Sequence, residues 1–306
     1  MRKLIWLVMG VFILSGPSCE KKLPVVNEPV IPYQKDHFPD VFTDSLGKIA
    51  IAYCYSGSTD SSFIDAGIYL YDFKTEPKLL LRAGVAGIGF PGSVSFSPDG
   101  NWIAFSDQRI WKIKLNGDSL SFLAADKAGS YYCFPDWSPD GKKIVFDSDD
   151  GSKGIGIMDP DGKNLQWIIN WARDPAWSPD GNRLYYSKYT TQYQTDTSYM
   201  EIYCYDFSTQ KEKRLTYLYL DTYTSEPSVS PSGEKVVFTI LKPRELPQVW
   251  NIGKDGENPR QVTSQSGCNP VFISGEEILY VKVTWGDGKM WTIGIDGQND
   301  KPVFNK

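Results

Sequence analysis

The residues best suited to chemistry are two carboxylates, Asp174 and Glu226, each standing directly before a proline, with Arg173 beside the first. Paired carboxylates can divide acid and base work between them when their surroundings push their pKa values apart, although sequence does not set their separation. A second acidic run, Asp147-Ser148-Asp149-Asp150-Gly151, resembles part of a calcium loop but lacks the bidentate Glu that would complete one. A solvated hairpin turn accounts for it. The single histidine, His37, has no recognisable partner, and no G-x-S-x-G elbow occurs. No catalytic residue, metal or cofactor is therefore expected, and binding is expected in place of catalysis.

The elements that must position these groups are repeats. Phe96-Ser97-Pro98-Asp99-Gly100 leads into Trp102–Phe105, Trp137-Ser138-Pro139-Asp140-Gly141 into Ile144–Phe146, and Trp177-Ser178-Pro179-Asp180-Gly181 into Leu184–Tyr186. A fourth copy is Val229-Ser230-Pro231-Ser232-Gly233, followed by Val236–Phe238, and weaker copies begin near Val41 and Phe272. The six markers are separated by 55, 41, 40, 52 and 43 residues. Pro-Asp-Gly closes a turn because Pro presets φ, Asp bonds the local backbone and Gly accepts positive φ. Repeats of this length with several strands each predict an all-β fold, a six-bladed β-propeller with four antiparallel strands per blade. Third strands align Tyr69, Trp111, Tyr203, Trp250 and Trp291, with Gly156 the exception. Such a series reads as packing between blades and not as a sugar-stacking ladder.

Composition agrees. The chain has 306 residues, 41% hydrophobic and 14% aromatic, with 27 Gly and 20 Pro, which fits many short strands divided by turns. Its net charge of −5 carries no basic run, so nucleic acid is excluded as an expected partner. Cys133 and Cys268 occupy matching repeat positions in opposite blades, as do Cys54 and Cys204 in blades one and four. Opposite blades hold sulfurs too far apart to bridge, and free, mostly buried thiols are expected ahead of the neighbouring-blade pairs Cys133 with Cys204 and Cys54 with Cys268.

The [WF]-S-P-D-G-x-x-[ILV]-x-[FY] motif, with Gly154 to Gly162 following its third copy, resembles the WD40-like repeat of the TolB family of six-bladed propellers. TolB carries an additional N-terminal domain for which this chain shows no counterpart, so the resemblance implies the fold without implying TolB's role. Related propellers occur in oligogalacturonate lyases. A glycan-active enzyme of lyase type, using the mouth carboxylates, Arg173 and a metal, is the alternative to a binding module.

The N-terminus reads as an address. Met1-Arg2-Lys3 precedes an apolar stretch from Leu4 to Leu14 and small residues before Cys19, the pattern of a cleaved signal. Residues 1–18 are expected as signal peptide, and the residues around Cys19 resemble the lipobox of bacterial lipoproteins, with Cys19 lipidated. Gly16 and Pro17 depart from that pattern. Residues 19–36, with three prolines, read as an extended tether, and residues 37–306 as the propeller. An exported monomer, anchored to a membrane of the cell envelope on its periplasmic or surface face, is expected.

In a propeller, the loops that lead into the inner strands share one face around the central channel. Phe90, Tyr131, Tyr132, Trp171, Arg173, Asp174, Glu226 and Asn269 are the expected ligand-binding residues at that mouth, joined by insertions at 55–67, 189–199, 241–247 and 285–288 that are rich in Tyr, Ser, Thr and Asp. The expected partner is an envelope protein, a peptide or a glycan.

Overall fold

Each Ser-Pro-Asp-Gly turn is held by the serine as much as by the residues that give it its sharpness. Ser97 Oγ donates to Asp99 Oδ1 at 2.5 Å and accepts from Trp102 N at 2.9 Å. Ser138 repeats the pattern with Asp140 (2.7 Å) and Lys143 N (2.8 Å), and Ser178 with Asp180 (2.5 Å) and Arg183 N (2.9 Å). In the fourth copy Ser232 replaces the aspartate, yet Ser230 Oγ still accepts from Lys235 N at 3.0 Å. One hydroxyl thereby clamps the turn to a backbone N–H at the entry to the strand that follows.

The computed structural model describes residues 34–44, 49–57, 66–125, 129, 131–148, 153–191, 198–218, 222–284 and 287–304. The expected signal segment, Cys19, nearly all of the expected tether and parts of three insertions, 55–67, 189–199 and 285–288, lie outside these residues. Among them are twenty-four strands and one 3-10 turn, Val85–Gly87. No described helix is long and apolar enough to cross a membrane. The first strand starts at Gln34, so the last three residues assigned to the tether pair as strand.

The strands form four hydrogen-bonded sheets, two of four strands and two of eight. Consecutive strands pair antiparallel in runs of four, as in Tyr132–Trp137, Ile144–Ser148, Ile155–Met158 and Gln166–Ile169. The repeats alone would give six separate sheets, and the structure corrects this to four. Two pairs of neighbouring runs merge, each through one parallel residue pair, Lys35 with Gly288 and Met200 with Tyr223. The cause is strand length. Gln34–Thr43 and Ser198–Asp206 have 10 and 9 residues against 4 for Ile155–Met158, and these longer strands reach far enough to meet a neighbour.

The first strands of the runs, Gln34–Thr43, Val94–Phe96, Tyr132–Trp137, Ala172–Trp177, Tyr223–Val229 and Cys268–Phe272, lie each against the next, and the last lies against the first. The ring is closed, as in a propeller. Apolar clusters fill the spaces between runs. Ile68 and Leu81 of the first run, for example, meet Phe96, Ile103 and Phe105 of the second. Tyr69, Trp111, Tyr203, Trp250 and Trp291 all pack, partly buried, against such clusters. At Gly156 the ring of Phe146 lies where a side chain would stand, 2.8 Å from the position of an added Cβ, and Trp167 packs edge-on against it. Cys54 and Cys204 are buried free thiols.

The turns also stack around the ring. Gly100 has φ +67°, and a Cβ there would come within 2.4 Å of the Phe42 ring from the preceding run. Gly100→Ala is expected to destabilise the fold by about 2–4 kcal/mol, combining left-handed backbone strain with overpacking. Phe42→Leu in the same chain should recover part of that loss in urea unfolding. A fully additive double mutant would show that the contact does not carry the effect.

Candidate functional site

Around the axis, every first strand except the second carries a non-glycine residue at positive φ, immediately before a proline: Phe38 (45°), Phe134 (49°), Asp174 (53°), Glu226 (56°) and Asn269 (52°). Proline disfavours helical geometry in the residue ahead of it, so these are strained positions, held by bonds from neighbouring runs. Register shifts mark the same places in each strand. The bulge turns one backbone N–H toward the preceding run, and a side chain there accepts it.

These bonds form a chain. Phe134 N donates to Ser93 Oγ at 3.0 Å, Asp174 N to Asp147 Oδ2 at 2.8 Å, Glu226 N to Asp174 Oδ2 at 3.3 Å and Asn269 N to Glu226 Oε2 at 2.7 Å. With its amide turned to donate to both Glu226 oxygens at 2.7 Å, Asn269 accepts from Phe38 N at 3.2 Å. Thr239 Oγ1 adds a bond to Glu226 Oε2 at 2.7 Å. Across the ring, Phe38 and Phe134 meet edge to face with centroids 5.1 Å apart. One arc at this level is thus apolar and the other is carboxylate and amide.

Electrostatics follow from that enclosure. Burial, reinforced by the neighbouring Glu226 carboxylate, lifts Asp174 to about 6 against the pull of Arg173. Burial raises Glu226 as well, opposed by Thr239 and the Asn269 N–H. Burial disfavours charge on Arg173, whose Nε lies 3.8 Å from Asp147 Oδ2, but the Asp147 and Asp174 carboxylates hold it protonated.

A second tier lies one step along the same strands. Asp40 Oδ2 accepts from Phe96 N at 2.7 Å, Ser95 Oγ from Trp137 N at 3.2 Å and Asp136 Oδ2 from Trp177 N at 2.8 Å. Each cap again reaches from one run to the next. Desolvation raises Asp40 to about 6, and desolvation with the added repulsion of Asp40 raises Asp136 to about 7.

The structure therefore brings Arg173, Asp174, Glu226 and Asn269 together, but as internal members of the ring, with Asp174 and Asn269 buried. Tyr132 does not join them: it is buried against Phe146 and Trp167. Tyr131, one residue before the third first strand, is half-buried. Phe90 and Trp171 are exposed, at 41% and 56%. Phe90 follows a loop tied down by Gly89 N on Asp107 Oδ2 (2.9 Å) and by Arg109 Nη2 on Gly87 O (2.8 Å). Trp171 borders a cleft between the third and fourth runs. Sequence reasoning missed Ser93, Asp40 and Asp136, and it read Asp147 as part of a solvated hairpin turn, whereas Asp147 and Ser148 are fully buried and Asp147 caps Asp174 N. The residue ahead of each inner-strand proline is a readable signal for Phe38, Phe134, Asp174, Glu226 and Asn269, whereas Ser93, Asp40 and Asp136 carry none. Among the described residues no three His, Cys, Asp or Glu side chains converge as metal ligands.

Comparison with known proteins agrees on the fold. No family model matches the chain. It is 29% identical over 158 residues to the uncharacterised protein Atu1656 of Agrobacterium fabrum, covering 45% of this chain and 51% of that one. The chain thus spans about half the length of that curated relative. The crystal structure of TolB from Acinetobacter baumannii superposes with a TM-score of 0.64 at 17% identity, over 86% of this chain and 78% of that chain. An oligogalacturonate lyase solved in complex with manganese superposes with a TM-score of 0.55 at 12% identity, over 89% of this chain and 86% of that one. The fold is that of the TolB-like β-propellers.

The carboxyls of the second tier make stability depend on pH. Asp40 and Asp136 bind protons more readily when folded than at their ordinary value of 3.8. Their contribution to stability is fully present below that value and is lost as pH rises through about 6 and 7. The melting temperature followed by circular dichroism is expected to rise by a few degrees between pH 8 and pH 5. Asp136→Asn, which keeps an acceptor for Trp177 N without the charge, should raise the value at pH 8 and flatten the profile. An unaltered slope in that variant would assign the titration to other groups.

Proposed function

We propose that the chain is an exported cell-envelope lipoprotein whose propeller is a non-catalytic binding module for an envelope protein, a peptide or a glycan. In this reading residues 1–18 direct export, Cys19 carries the lipid, residues 19–36 form the tether, and residues 37–306 form six blades that act as a monomer. Support for six blades comes from the six runs of four strands and from the closed ring of six first strands. The parallel pairs that merge the sheets join the ends of neighbouring blades.

The observation that carries binding over catalysis is how the carboxylates are used. Glu226 Oε2 is occupied by Thr239 and Asn269, and Asp174 Oδ2 by Glu226 N. An acid or base needs an oxygen available to substrate. Phe90 and Trp171, by contrast, are exposed on loops pinned to the scaffold, as rigid anchors in a binding surface would be.

A second reading, a glycan-active enzyme of lyase type, is favoured by the likeness to the oligogalacturonate lyase and by Asp174 held near 6. The two readings separate in one comparison. Full-length lipidated protein is crosslinked in its native envelope beside a Phe90→Ala, Trp171→Ala variant of the same stability. A partner captured by the wild type and reduced several-fold in the variant is the expected result. Identical capture profiles, together with polysaccharide turnover abolished by Asp174→Asn, would replace binding by catalysis.

A further inference from the structure

The cleft beside Trp171 has the makings of a ligand site separate from the axial ring. Its volume is about 300 Å³, and it is lined by Ile168, Ile169, Asn170 and Trp171 from the end of the third run and by Lys188, Tyr205, Gln210 and Glu212 from the fourth. That size lies at the small end of ligand clefts.

Its chemistry is selective. Lys188 Nζ bonds both oxygens of Glu212, at 2.6 and 2.5 Å, and both side chains remain about a quarter exposed, 24% and 29%. The pair leaves the cleft with no net charge, so it offers no advantage to a phosphate, a carboxylate or a polyamine. It still presents ammonium N–H donors and carboxylate lone pairs beside the Asn170 and Gln210 amides. Every group there can donate or accept, and a ligand that does both at closely spaced atoms is the best match. Ile168, Ile169 and Tyr205 add apolar surface to the same lining. Trp171 contributes an indole 56% exposed, on a backbone at φ 61° that is fixed by Tyr189 N donating to Trp171 O at 3.0 Å. An exposed indole on a fixed backbone offers a rigid, accessible aromatic face. The electron-rich face of an indole attracts the weakly positive C–H groups on the flat side of a sugar ring.

We infer that this cleft binds a neutral saccharide, with one ring stacked on Trp171 and its hydroxyls bonded to Lys188, Glu212, Asn170 and Gln210. The inference rests on the binding-module reading and narrows its glycan branch, while placing the ligand in the cleft and not on the axial ring.

The test uses the full chain in a non-glycosidic detergent. Cellotetraose, xylotetraose, mannotetraose and chitotetraose serve as neutral probes and trigalacturonate as the acidic control. Saturation-transfer NMR detects contact and calorimetry gives affinity. At least one neutral probe is expected to bind with Kd of about 1 mM or tighter, and Trp171→Ala to weaken it about tenfold. Glu212→Gln and Lys188→Met should each weaken it several-fold, while the Asp174→Asn, Glu226→Gln variant stays within about twofold of the wild type. Because Trp171 is exposed, its replacement leaves the fold intact, which the melting temperature checks. No neutral binding at about 10 mM, or tighter binding of trigalacturonate, would overturn the inference. Loss of binding in the ring variant with none in Trp171→Ala would also overturn it, while leaving the axial reading of function in place.

Discussion

The interaction on which the rest depends is the hydrogen bond from a backbone N–H of one inner strand to a side chain of the run before it. Apolar packing between runs supplies most of the stabilisation, but it is non-directional and would permit neighbouring sheets to slide or rotate. The two tiers of caps remove that freedom. Asp40 to Phe96, Ser95 to Trp137 and Asp136 to Trp177 fix one level, and the chain through Ser93, Asp147, Asp174, Glu226 and Asn269 fixes the next. Each bulge makes a donor that its own sheet cannot satisfy, and an enclosed donor without a partner costs about 1–3 kcal/mol. The fold meets that cost only when the neighbour stands in the right place, so the strain at five positions selects one arrangement of the ring.

That requirement explains why the most chemical-looking residues of the sequence have a structural task. Asp174 and Glu226 sit side by side as acid and base would, and their raised pKa values resemble those of catalytic groups. The same shifts arise at Asp40 and Asp136, which cap backbone at a deeper level. Perturbation shared by two successive tiers belongs to the closure of the ring. What the scaffold leaves for recognition is found on its rim and flanks, where Phe90 and Trp171 are exposed.

Much of this architecture was legible in the chain. The Ser-Pro-Asp-Gly copies located the turns between first and second strands, and the third-strand series of Tyr69, Trp111, Tyr203, Trp250 and Trp291 pointed correctly to packing between runs. The serine clamp was present in the motif, but its bond to a strand N–H depends on the turn's three-dimensional shape. The four-sheet pairing was illegible because it turns on two single residue pairs, Lys35 with Gly288 and Met200 with Tyr223, set by how far long strands extend. Among the candidate site residues, position ahead of an inner strand was readable and side-chain direction was not. Tyr131 and Tyr132 are neighbours in sequence, yet alternation along the strand sends Tyr132 into the core against Phe146. The pairing of Lys188 with Glu212 spans 24 residues and depends on the register of two strands, which no local pattern reveals.

The departure from the repeat at Gly156 bears on where recognition can evolve. In five runs a third-strand aromatic fills the face toward the neighbour. In the third run Phe146 covers the glycine, and the aromatic bulk comes from Trp167 on the fourth strand, against Phe146 and Tyr132. Trp167 packs on that face, and past a register shift at Ile168 both Ile168 and Ile169 enter the cluster with Tyr203 and Tyr205 of the fourth run. The strand then ends at Asn170 and Trp171 at the edge of the cleft. A repeat that keeps its core volume by moving an aromatic from the third strand to the fourth brings that outer strand into the joint between runs. The ring bonds involve neither Gly156 nor Trp167, so this exchange alters the flank of the propeller and leaves its axial bonds in place.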